Sequence, residues 1–326
     1  MTNIFRALLV IKIVRWVVEG VEFNGSGLEF HAVPPYHGYT PRLSSFVFIW
    51  WSRGLASMQS GITHIVAVAS GKGGVGKSTV AMNLAAALSH RGKAVGLLDA
   101  DIYGPSQKRM LGVAEDVMPE QIDDKRLRPV AVHGIKAMSM GFLTDEKTAM
   151  VWRGPMASGA LVQLLEQTEW GNLDVLLVDM PPGTGDIQLT LAQKASLSGA
   201  IIVTTPQDIA LIDAWKGIEM FRKVQVPVLG VVENMSTHVC SACGHEEPIF
   251  GQGGGDRLAA EYDVELLARL PLSLAVRESA DSGQAMVMAQ SDSTEARIFL
   301  KIADALVSNL GDASVPTSPT ITMGDD

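Results

Sequence analysis

The amino-acid sequence predicts an α/β fold, a doubly wound and mostly parallel sheet with helices on both faces. Two observations carry this prediction. Short apolar runs alternate with segments of helical periodicity from about residue 61 to residue 310, and the first run passes through a glycine-rich turn straight into an Ala/Leu-rich helix. Alternating strands and helices build parallel sheets through right-handed crossovers, which place ligand sites beyond the carboxyl ends of the strands.

The predicted strands are short and apolar, a pattern typical of strands that are buried on both faces. They span residues 65–69, 94–99, 133–140, 174–179, 200–204 and 228–232. Further helices are predicted at residues 158–168, 210–223 and 296–310. We expect Gly92 to cap the first helix, because glycine readily adopts the left-handed conformation at a helix end. Residues 106–130 are polar and interrupted, which predicts a surface excursion.

Composition excludes several classes of protein. With 326 residues, 47% of them hydrophobic, the chain is large enough for one large α/β domain or two ordinary ones. The formal net charge of -9 argues against a broad basic surface for nucleic acid. The most apolar early stretch, residues 4–18, is too short for a membrane span and is interrupted by basic residues. We therefore expect neither a nucleic acid nor a membrane as a partner.

Residues 1–60 differ from the rest of the chain, because no hydrophobic period persists through them. Three interpretations compete: an accessory segment, an organellar targeting sequence, or residues upstream of a start at Met58. Acidic residues weaken the targeting interpretation, and the upstream start is favoured. We predict a poorly ordered segment over residues 1–60, one globular domain over 61–310 that carries the sites described below, and a disordered tail over 311–326.

A glycine-rich turn joins the first predicted strand to the helix after it. The turn fits the pattern G-x-x-x-x-G-K-[ST], and its flanking strand and helix supply the context that this motif requires. Its backbone N–H groups can turn inward around a polyphosphate, while Lys77 reaches the β- and γ-phosphates and the Ser78 hydroxyl holds magnesium. The candidate nucleotide-binding residues of the turn are Gly71, Lys72, Gly73, Gly74, Val75, Gly76, Lys77, Ser78 and Thr79.

Acidic residues end two of the predicted strands. Asp179 is followed by the sequence MPPGTGD, and a carboxylate in that position can bind the magnesium shell as a Walker-B acid does. A strand-ending aspartate that only caps the next turn is the alternative. Asp99 and Asp101 end the other strand. Asp101 could orient or deprotonate an attacking water, or it could be an exposed loop acid.

The only two cysteines, Cys240 and Cys243, lie three positions apart in HVCSACGHEEPIFG. This usage excludes a disulfide framework and indicates a reducing compartment, with cytoplasm expected and the mitochondrial matrix as the alternative. Two thiolates do not complete a tetrahedral metal site, whereas two chains paired about a two-fold axis would supply the four ligands of a four-iron cluster. A zinc site that uses His245 and a dithiol redox pair remain alternatives, and from the spacing alone zinc is nearly level with the cluster.

Several segments together carry a family resemblance. They are GKGGVGKST, LLDADIYGPS, VDMPPGTGDIQLTLAQ, TTPQDIAL, GVVENMS and CSAC. Over about residues 61–310 the chain resembles the Mrp/ApbC family of iron-sulfur cluster carriers, which are P-loop ATPases with a deviant Walker A motif, related to MinD, ParA and the nitrogenase iron protein. Many bacterial members carry a small additional domain before the ATPase, and residues 1–60 do not resemble it.

The resemblance implies a homodimer in which Lys72 reaches nucleotide across the interface and, with Asp101 in the first switch, takes part in catalysis. It also implies Asp179 in the second switch and Asn234 near the adenine. The expected cofactors are ATP, Mg²⁺ and an iron-sulfur cluster, a 4Fe-4S cluster that bridges Cys240 and Cys243 of two chains. Slow ATP hydrolysis would accompany cluster transfer to apo iron-sulfur proteins.

Three other functions are weighed against the carrier. A MinD/ParA-like positioning ATPase would need a basic amphipathic helix or a basic face, yet residues 296–310 contain only Arg297 and Lys301 as basic residues. A P-loop ATPase with a structural zinc site is the second alternative. A phosphoryl-transfer enzyme acting on a metabolite is the third, and it would need an acceptor pocket that the sequence does not reveal.

Overall fold

The structure is a computed structural model, and it describes residues 61–143, 154–240 and 242–312. The predictions for residues 1–60 and for nearly all of the tail fall outside these ranges, so the proposed domain boundaries stay predictions.

The described residues contain twelve strands, nine α-helices and one short 3-10 helix, Met140–Phe142. The strands are β1 (Ile62–Ala69), β2 (Val95–Asp99), β3 (Glu120–Gln121), β4 (Leu127–Arg128), β5 (Val130–Val132), β6 (Ile135–Ser139), β7 (Leu173–Asp179), β8 (Gly199–Thr204), β9 (Val228–Glu233), β10 (His238–Val239), β11 (Glu246–Glu247) and β12 (Leu266–Arg269). The helices are α1 (Lys77–His90), α2 (Gln107–Met110), α3 (Gly154–Gln167), α4 (Asp186–Lys194), α5 (Asp208–Lys223), α6 (Gly254–Tyr262), α7 (Leu274–Asp281), α8 (Met286–Ala289) and α9 (Thr294–Asp312).

Eight of the strands form one sheet in the order β12-β9-β8-β1-β7-β2-β6-β5. Every neighbouring pair in it is parallel except β5 and β6, which form an antiparallel edge. The predicted doubly wound, mostly parallel sheet is confirmed. Because β1 lies between β7 and β8, the order of the strands reverses there, and ligands of such sheets bind in the crevice at that reversal.

The core is built around β1 and α1. Residues 65–69 of β1 are almost completely buried, as the unbroken apolar run predicts. Helix α1 is buried along most of its length and packs against the sheet and against α9. Its alanines leave room for this close packing. Gly92 ends α1 with φ +78°, and its N–H donates to the Ser89 carbonyl at 2.9 Å, which confirms the predicted cap.

The structure differs from the prediction at several elements. The β3–β4 hairpin is largely exposed, as expected of a surface excursion, but Gln107 in α2 is buried. Helix α3 already includes Gly154, ahead of the predicted start at residue 158, and the edge strands β5 and β12 have no counterpart among the predicted strands. None of the helices in the described ranges has both the length and the apolar character needed to cross a membrane.

Candidate functional site

The glycine-rich turn lies between β1 and α1, at the carboxyl end of the sheet. Gly76 precedes α1 with φ +84°, a backbone conformation that side-chain-bearing residues rarely adopt. Gly71 meets a different requirement. A Cβ atom there would lie 2.0 Å from the carbonyl oxygen of Asp213 in α5, so only glycine lets the turn and the helix approach so closely. The turn is therefore held against α5 while its far end opens directly into α1.

Lys77 and Ser78 begin α1 and lie beside Asp179. The Lys77 ammonium forms an ion pair with Asp179 Oδ1 and lies 3.2 Å from Ser78 Oγ. Lys77 is 6% exposed and Asp179 is completely buried. Parallel register explains why the acid is here, because Asp179 pairs with Val68 at the end of β1. The structure thus brings together the cation, hydroxyl and carboxylate that the motifs predict.

Asp99 is a second buried acid at the same end of the sheet, in register with Asp179 on the neighbouring strand. Its carboxylate accepts hydrogen bonds from the main-chain N–H groups of Asp101, Ser106 and Gln107 and from the Ser139 hydroxyl, at 3.0–3.1 Å. Burial and the charge of Asp179 raise the pKa of Asp99 from 3.8 to about 7, against the opposing effect of its N–H donors and of Lys77. The sequence identifies this acid only as the end of a strand.

Gln107 is a site residue that the sequence reasoning missed. Its Nε2 donates to Asp179 Oδ2 at 2.8 Å and to the Ser78 carbonyl at 3.0 Å. Its Oε1 is buried and has no hydrogen-bond partner among the described residues. No sequence signal marks it, because a neutral amide in a polar stretch is typical of a surface helix.

The oxygen atoms of this site fit a magnesium ion. Mg²⁺ takes oxygen ligands, usually one or two protein groups together with several waters and substrate phosphates. Ser78 Oγ and the Asp179 carboxylate are oxygen donors of that kind. The unpaired oxygen of Gln107 adds a buried acceptor next to them. Ser78 and Asp179 could hold the ion, which when bound would neutralise phosphate charge.

Asp101 is half-buried just beyond the end of β2. Its carboxylate accepts the Gly104 N–H at 3.3 Å. Burial raises its pKa, while the charge of Lys77 and the Gly104 N–H act in the opposite direction. The structure places Asp101 beside the loop that follows β2 and does not bring its carboxylate into contact with Lys77 or Asp179.

Lys72 differs from Lys77 in having no counter-charge. Within residues 61–143, 154–240 and 242–312, no side-chain or backbone group forms a hydrogen bond or ion pair with its ammonium. The loop after β7 rests against the same turn, because the Gly183 N–H donates to the Ser70 carbonyl at 2.9 Å. A lysine that has no partner among the described residues therefore lies on the turn that contacts the loop after β7.

Asn234 follows β9 and contacts the glycine-rich turn directly. Its Nδ2 donates to the Val75 carbonyl at 2.8 Å, and its Oδ1 accepts the Met235 N–H at 2.9 Å. The same amide would lie 2.2 Å from a Cβ atom at Gly76. Asn234 thus braces the turn that begins α1. The contact with adenine that the resemblance implies stays a prediction.

Cys240 and Cys243 lie on the hairpin formed by β10 and β11. Cys243 is exposed and Cys240 is partly exposed. The hairpin is closed by the Cys240 N–H, which donates to the His245 carbonyl at 2.9 Å. Backbone N–H groups of Ala242 and Cys243, followed by the Cys243 thiol, lower the pKa of Cys240. The described part of the chain contains no group of three or more His, Cys, Asp or Glu side chains that could hold a metal ion.

An apolar groove adjoins the loop after β7. It has a volume of about 510 Å³ and lies between α4 and α5, with Thr184, Leu189, Trp215 and Tyr262 in its lining. Ile209, on the first turn of α5, is also largely exposed. A patch of this kind on the surface of a folded protein is typical of a contact with another protein.

A family model and two curated relatives show which family this chain belongs to. A family model described as ParA, NUBPL iron-transfer P-loop NTPase, matches residues 61–307. The iron-sulfur cluster carrier protein of Pseudomonas fragi is 61% identical over 242 residues, which cover 74% of this chain and 84% of that protein. The iron-sulfur cluster transfer protein NUBPL of Mus musculus is 51% identical over 263 residues, which cover 79% and 82% of the two chains.

Solved structures agree with these sequence matches. The nucleotide-binding protein of Archaeoglobus fulgidus, in complex with ADP, is 38% identical with a TM-score of 0.63, covering 71% of this chain and 91% of that one. The cell division ATPase MinD of Pyrococcus furiosus has a TM-score of 0.55 at 23% identity, covering 76% and 99%, and shows the fold alone. The extent of the family match and the identity to these relatives lead to one conclusion: the chain belongs to the ParA family of NUBPL-type iron-transfer P-loop NTPases.

Proposed function

We propose that this protein is an ATP-hydrolysing carrier that holds an iron-sulfur cluster between two identical chains and transfers it to apo iron-sulfur proteins. The observation that carries the proposal is the pair Cys240 and Cys243, accessible on one hairpin and without a third metal-ligating side chain beside them in the described chain. A site that is incomplete within one chain and accessible from outside is suited to a shared, transferable cargo.

The homodimer is supported by three features of one chain. The thiol pair supplies only half of the ligands of a four-iron cluster. Lys72 has no counter-charge within the described ranges, as expected of a lysine that reaches phosphate in the partner chain. Helix α5 contacts Gly71 through its main chain and carries exposed apolar side chains. These side chains therefore extend the surface around the glycine-rich turn (residues 71–79), which is called the phosphate loop below. A second copy would cover all three.

In the proposed nucleotide cycle, the buried ion pair between Lys77 and Asp179 breaks when nucleotide binds. Lys77 forms an ion pair with Asp179, and a polyphosphate in the loop would attract the same ammonium. Asp179 and Ser78 would then be available to hold magnesium, and Asp101 would orient the attacking water. Lys72 of the second copy would add its positive charge to the phosphates, where charge develops during transfer.

A short segment of chain links the two sites. Asn234 contacts the phosphate loop at Val75. The chain then continues through Ser236, whose N–H donates to the Leu270 carbonyl at 2.9 Å, into the hairpin that carries Cys240. A change in the phosphate loop can therefore reach the cysteine hairpin through a continuous main chain. We propose that nucleotide occupancy changes cluster retention by this route.

The decisive experiment is anaerobic reconstitution of the full chain, followed by iron and sulfide analysis, absorption spectra and molecular mass. About four irons per two chains, in a dimer, would support the bridged cluster. One zinc per chain in a monomer would overturn it in favour of a structural zinc site. Strong ATP-dependent co-sedimentation with liposomes or DNA would instead favour a positioning ATPase.

A further inference from the structure

The backbone of Gln107 is fixed by the end of the neighbouring strand. Gln107 is 1% exposed at the start of α2. Its main-chain N–H donates to Asp99 Oδ2 at 3.0 Å, beside the Ser106 N–H at the same oxygen. Asp99 is itself buried and also accepts from the Ser139 hydroxyl at 3.1 Å. The first turn of α2 is therefore anchored to β2 and β6, and its side chain projects from a rigid support.

The side chain of Gln107 then links the phosphate loop to the Walker-B acid. Its Nε2 has two acceptors, Asp179 Oδ2 and the Ser78 carbonyl. Turning the carboxamide over would place its oxygen against both of these acceptors, so the hydrogen bonds themselves determine which atom is the nitrogen. Both N–H bonds of the amide are used. The remaining atom, Oε1, is buried and has no partner in the described chain.

A buried oxygen with no partner is rare in folded proteins, because nearly all buried polar atoms form a hydrogen bond with protein or water. Gln163 in α3 has the other such carboxamide oxygen among the described residues. Among the described residues Gln163 forms no hydrogen bond with the phosphate loop, whereas Gln107 contacts Ser78 in that loop and Asp179 at the end of β7. The position of Gln107 Oε1 thus indicates a donor that arrives with the ligand of this site.

We propose that Gln107 is a positioning residue for nucleotide-bound magnesium, with Nε2 holding Asp179 and Oε1 accepting a hydrogen bond from the hydration shell of the ion. The inference rests on the proposed function, in that magnesium and nucleotide must bind at this loop. Mg²⁺ retains several waters when it binds to proteins, and those waters need acceptors. Because Asp179 Oδ1 is paired with Lys77, the Gln107 amide is the contact that keeps the carboxylate in place once that lysine turns to phosphate.

This role predicts an effect on magnesium that is separate from the effect on nucleotide. Mutation of a residue that forms a hydrogen bond with a metal ligand typically lowers metal affinity by about 10- to 100-fold. Gln107→Met removes both the donor and the acceptor and keeps the length of the side chain. We expect it to raise the Mg²⁺ concentration for half-maximal binding at saturating ADP by about tenfold. ADP affinity in EDTA should change by less than about twofold, because Lys77 and the loop N–H groups remain.

The test uses the full-length protein, with ADP binding followed by calorimetry and metal binding followed by Mn²⁺ electron paramagnetic resonance. Gln163→Met is the matched control, since it removes the other unpaired carboxamide oxygen of the described residues, which lies on α3. An equal Mg²⁺ requirement in the two variants, or an equal loss of ADP affinity in EDTA and in Mg²⁺, would overturn the role of Gln107. Wild-type protein that binds neither ADP nor ATP would instead overturn the proposed function.

Gln107→Asn keeps the inference testable if the methionine variant does not fold. It keeps a carboxamide but is one methylene shorter, so both its donor and its acceptor are withdrawn from Asp179 and Ser78. We expect a higher Mg²⁺ requirement at saturating ADP than in wild type, with ADP affinity in EDTA within about twofold of wild type. A folded Gln107→Asn protein whose Mg²⁺ requirement equals that of wild type would overturn the proposal.

Discussion

The ammonium of Lys77 lies against the carboxylate of Asp179, and both side chains are buried at the carboxyl end of the sheet. The residue expected to bind phosphate therefore neutralises the acid expected to hold magnesium. Taking one partner away from a buried ion pair leaves an uncompensated charge, which costs more than the pair itself contributes. The ion pair thus contributes to the stability of the fold, and it involves the same two side chains that are expected to bind phosphate and magnesium.

Lys77→Ala should reduce both stability and nucleotide binding. We expect the free energy of unfolding to fall by about 3–5 kcal/mol, because Asp179 is left as an unpaired buried charge. ADP affinity should be lost because the phosphate-binding cation is gone. Urea denaturation and calorimetric ADP titration would measure the two effects.

The double variant Lys77→Ala/Asp179→Asn is the control for that experiment. It removes the unpaired charge, so most of the lost stability should return while ADP binding stays absent. A single Lys77→Ala variant that unfolds at the same urea concentration as wild type would show that the ion pair does not stabilise this fold.

Gly71→Ala should disrupt the phosphate loop by displacing it from α5. A Cβ atom at Gly71 would lie 2.0 Å from the Asp213 carbonyl, and backbone cannot move away as a flexible side chain can. We expect loss of ADP binding and a lower melting temperature, which calorimetry and circular dichroism would measure.

Gly74→Ala is the matched control in the same turn. Gly74 has φ +82° but open space around its Cβ position, so alanine should cost only the left-handed conformation, about 1–2 kcal/mol. If both alanine variants lose the same stability, close approach to α5 does not decide the geometry of the loop.

Lys72→Ala should separate nucleotide binding from dimerisation. We expect ADP binding by each chain to persist, because Lys77 and the loop N–H groups are unchanged, while ATP-dependent dimerisation and ATP hydrolysis fall by at least about tenfold. Light scattering with ATP and a phosphate-release assay would measure these quantities. Lys125→Ala, an exposed lysine in the β3–β4 hairpin, should behave as wild type. Full ATP-dependent dimerisation of Lys72→Ala would exclude the cross-subunit role.

Changing Cys240 and Cys243 to alanine should abolish iron and sulfide binding and leave ADP affinity within about twofold of wild type, because the thiols and the phosphate loop are separate sites. His245→Ala is the discriminating control. A shared cluster needs only the thiolates and should survive it, whereas a zinc site within one chain would lose a ligand. Iron, sulfide and zinc analysis after anaerobic reconstitution would measure the outcome, and metal loss in His245→Ala would favour zinc.

Much of the site is predictable from local patterns. The phosphate loop is recognisable because its glycines, lysine and serine are adjacent in sequence, and Asp179 because an apolar strand leads into it. The cysteine pair is visible as the entire thiol content of the chain. By contrast, Gln107 and Asp99 acquire their roles from strands and helices that are distant in sequence. No pattern within one segment reveals such a contact.

The sequence by itself determined the alternation of strands and helices, the parallel sheet and the identity of the phosphate loop, because these depend on short-range periodicity and backbone conformation. Only the tertiary structure decided that Lys77 rests on Asp179, that Gln107 joins Asp179 to Ser78, and that Asn234 braces the loop. The physical reason is burial. The register of β2 against β7 brings Asp99 and Asp179 side by side away from water, and each buried polar group then needs whichever partner the packing supplies.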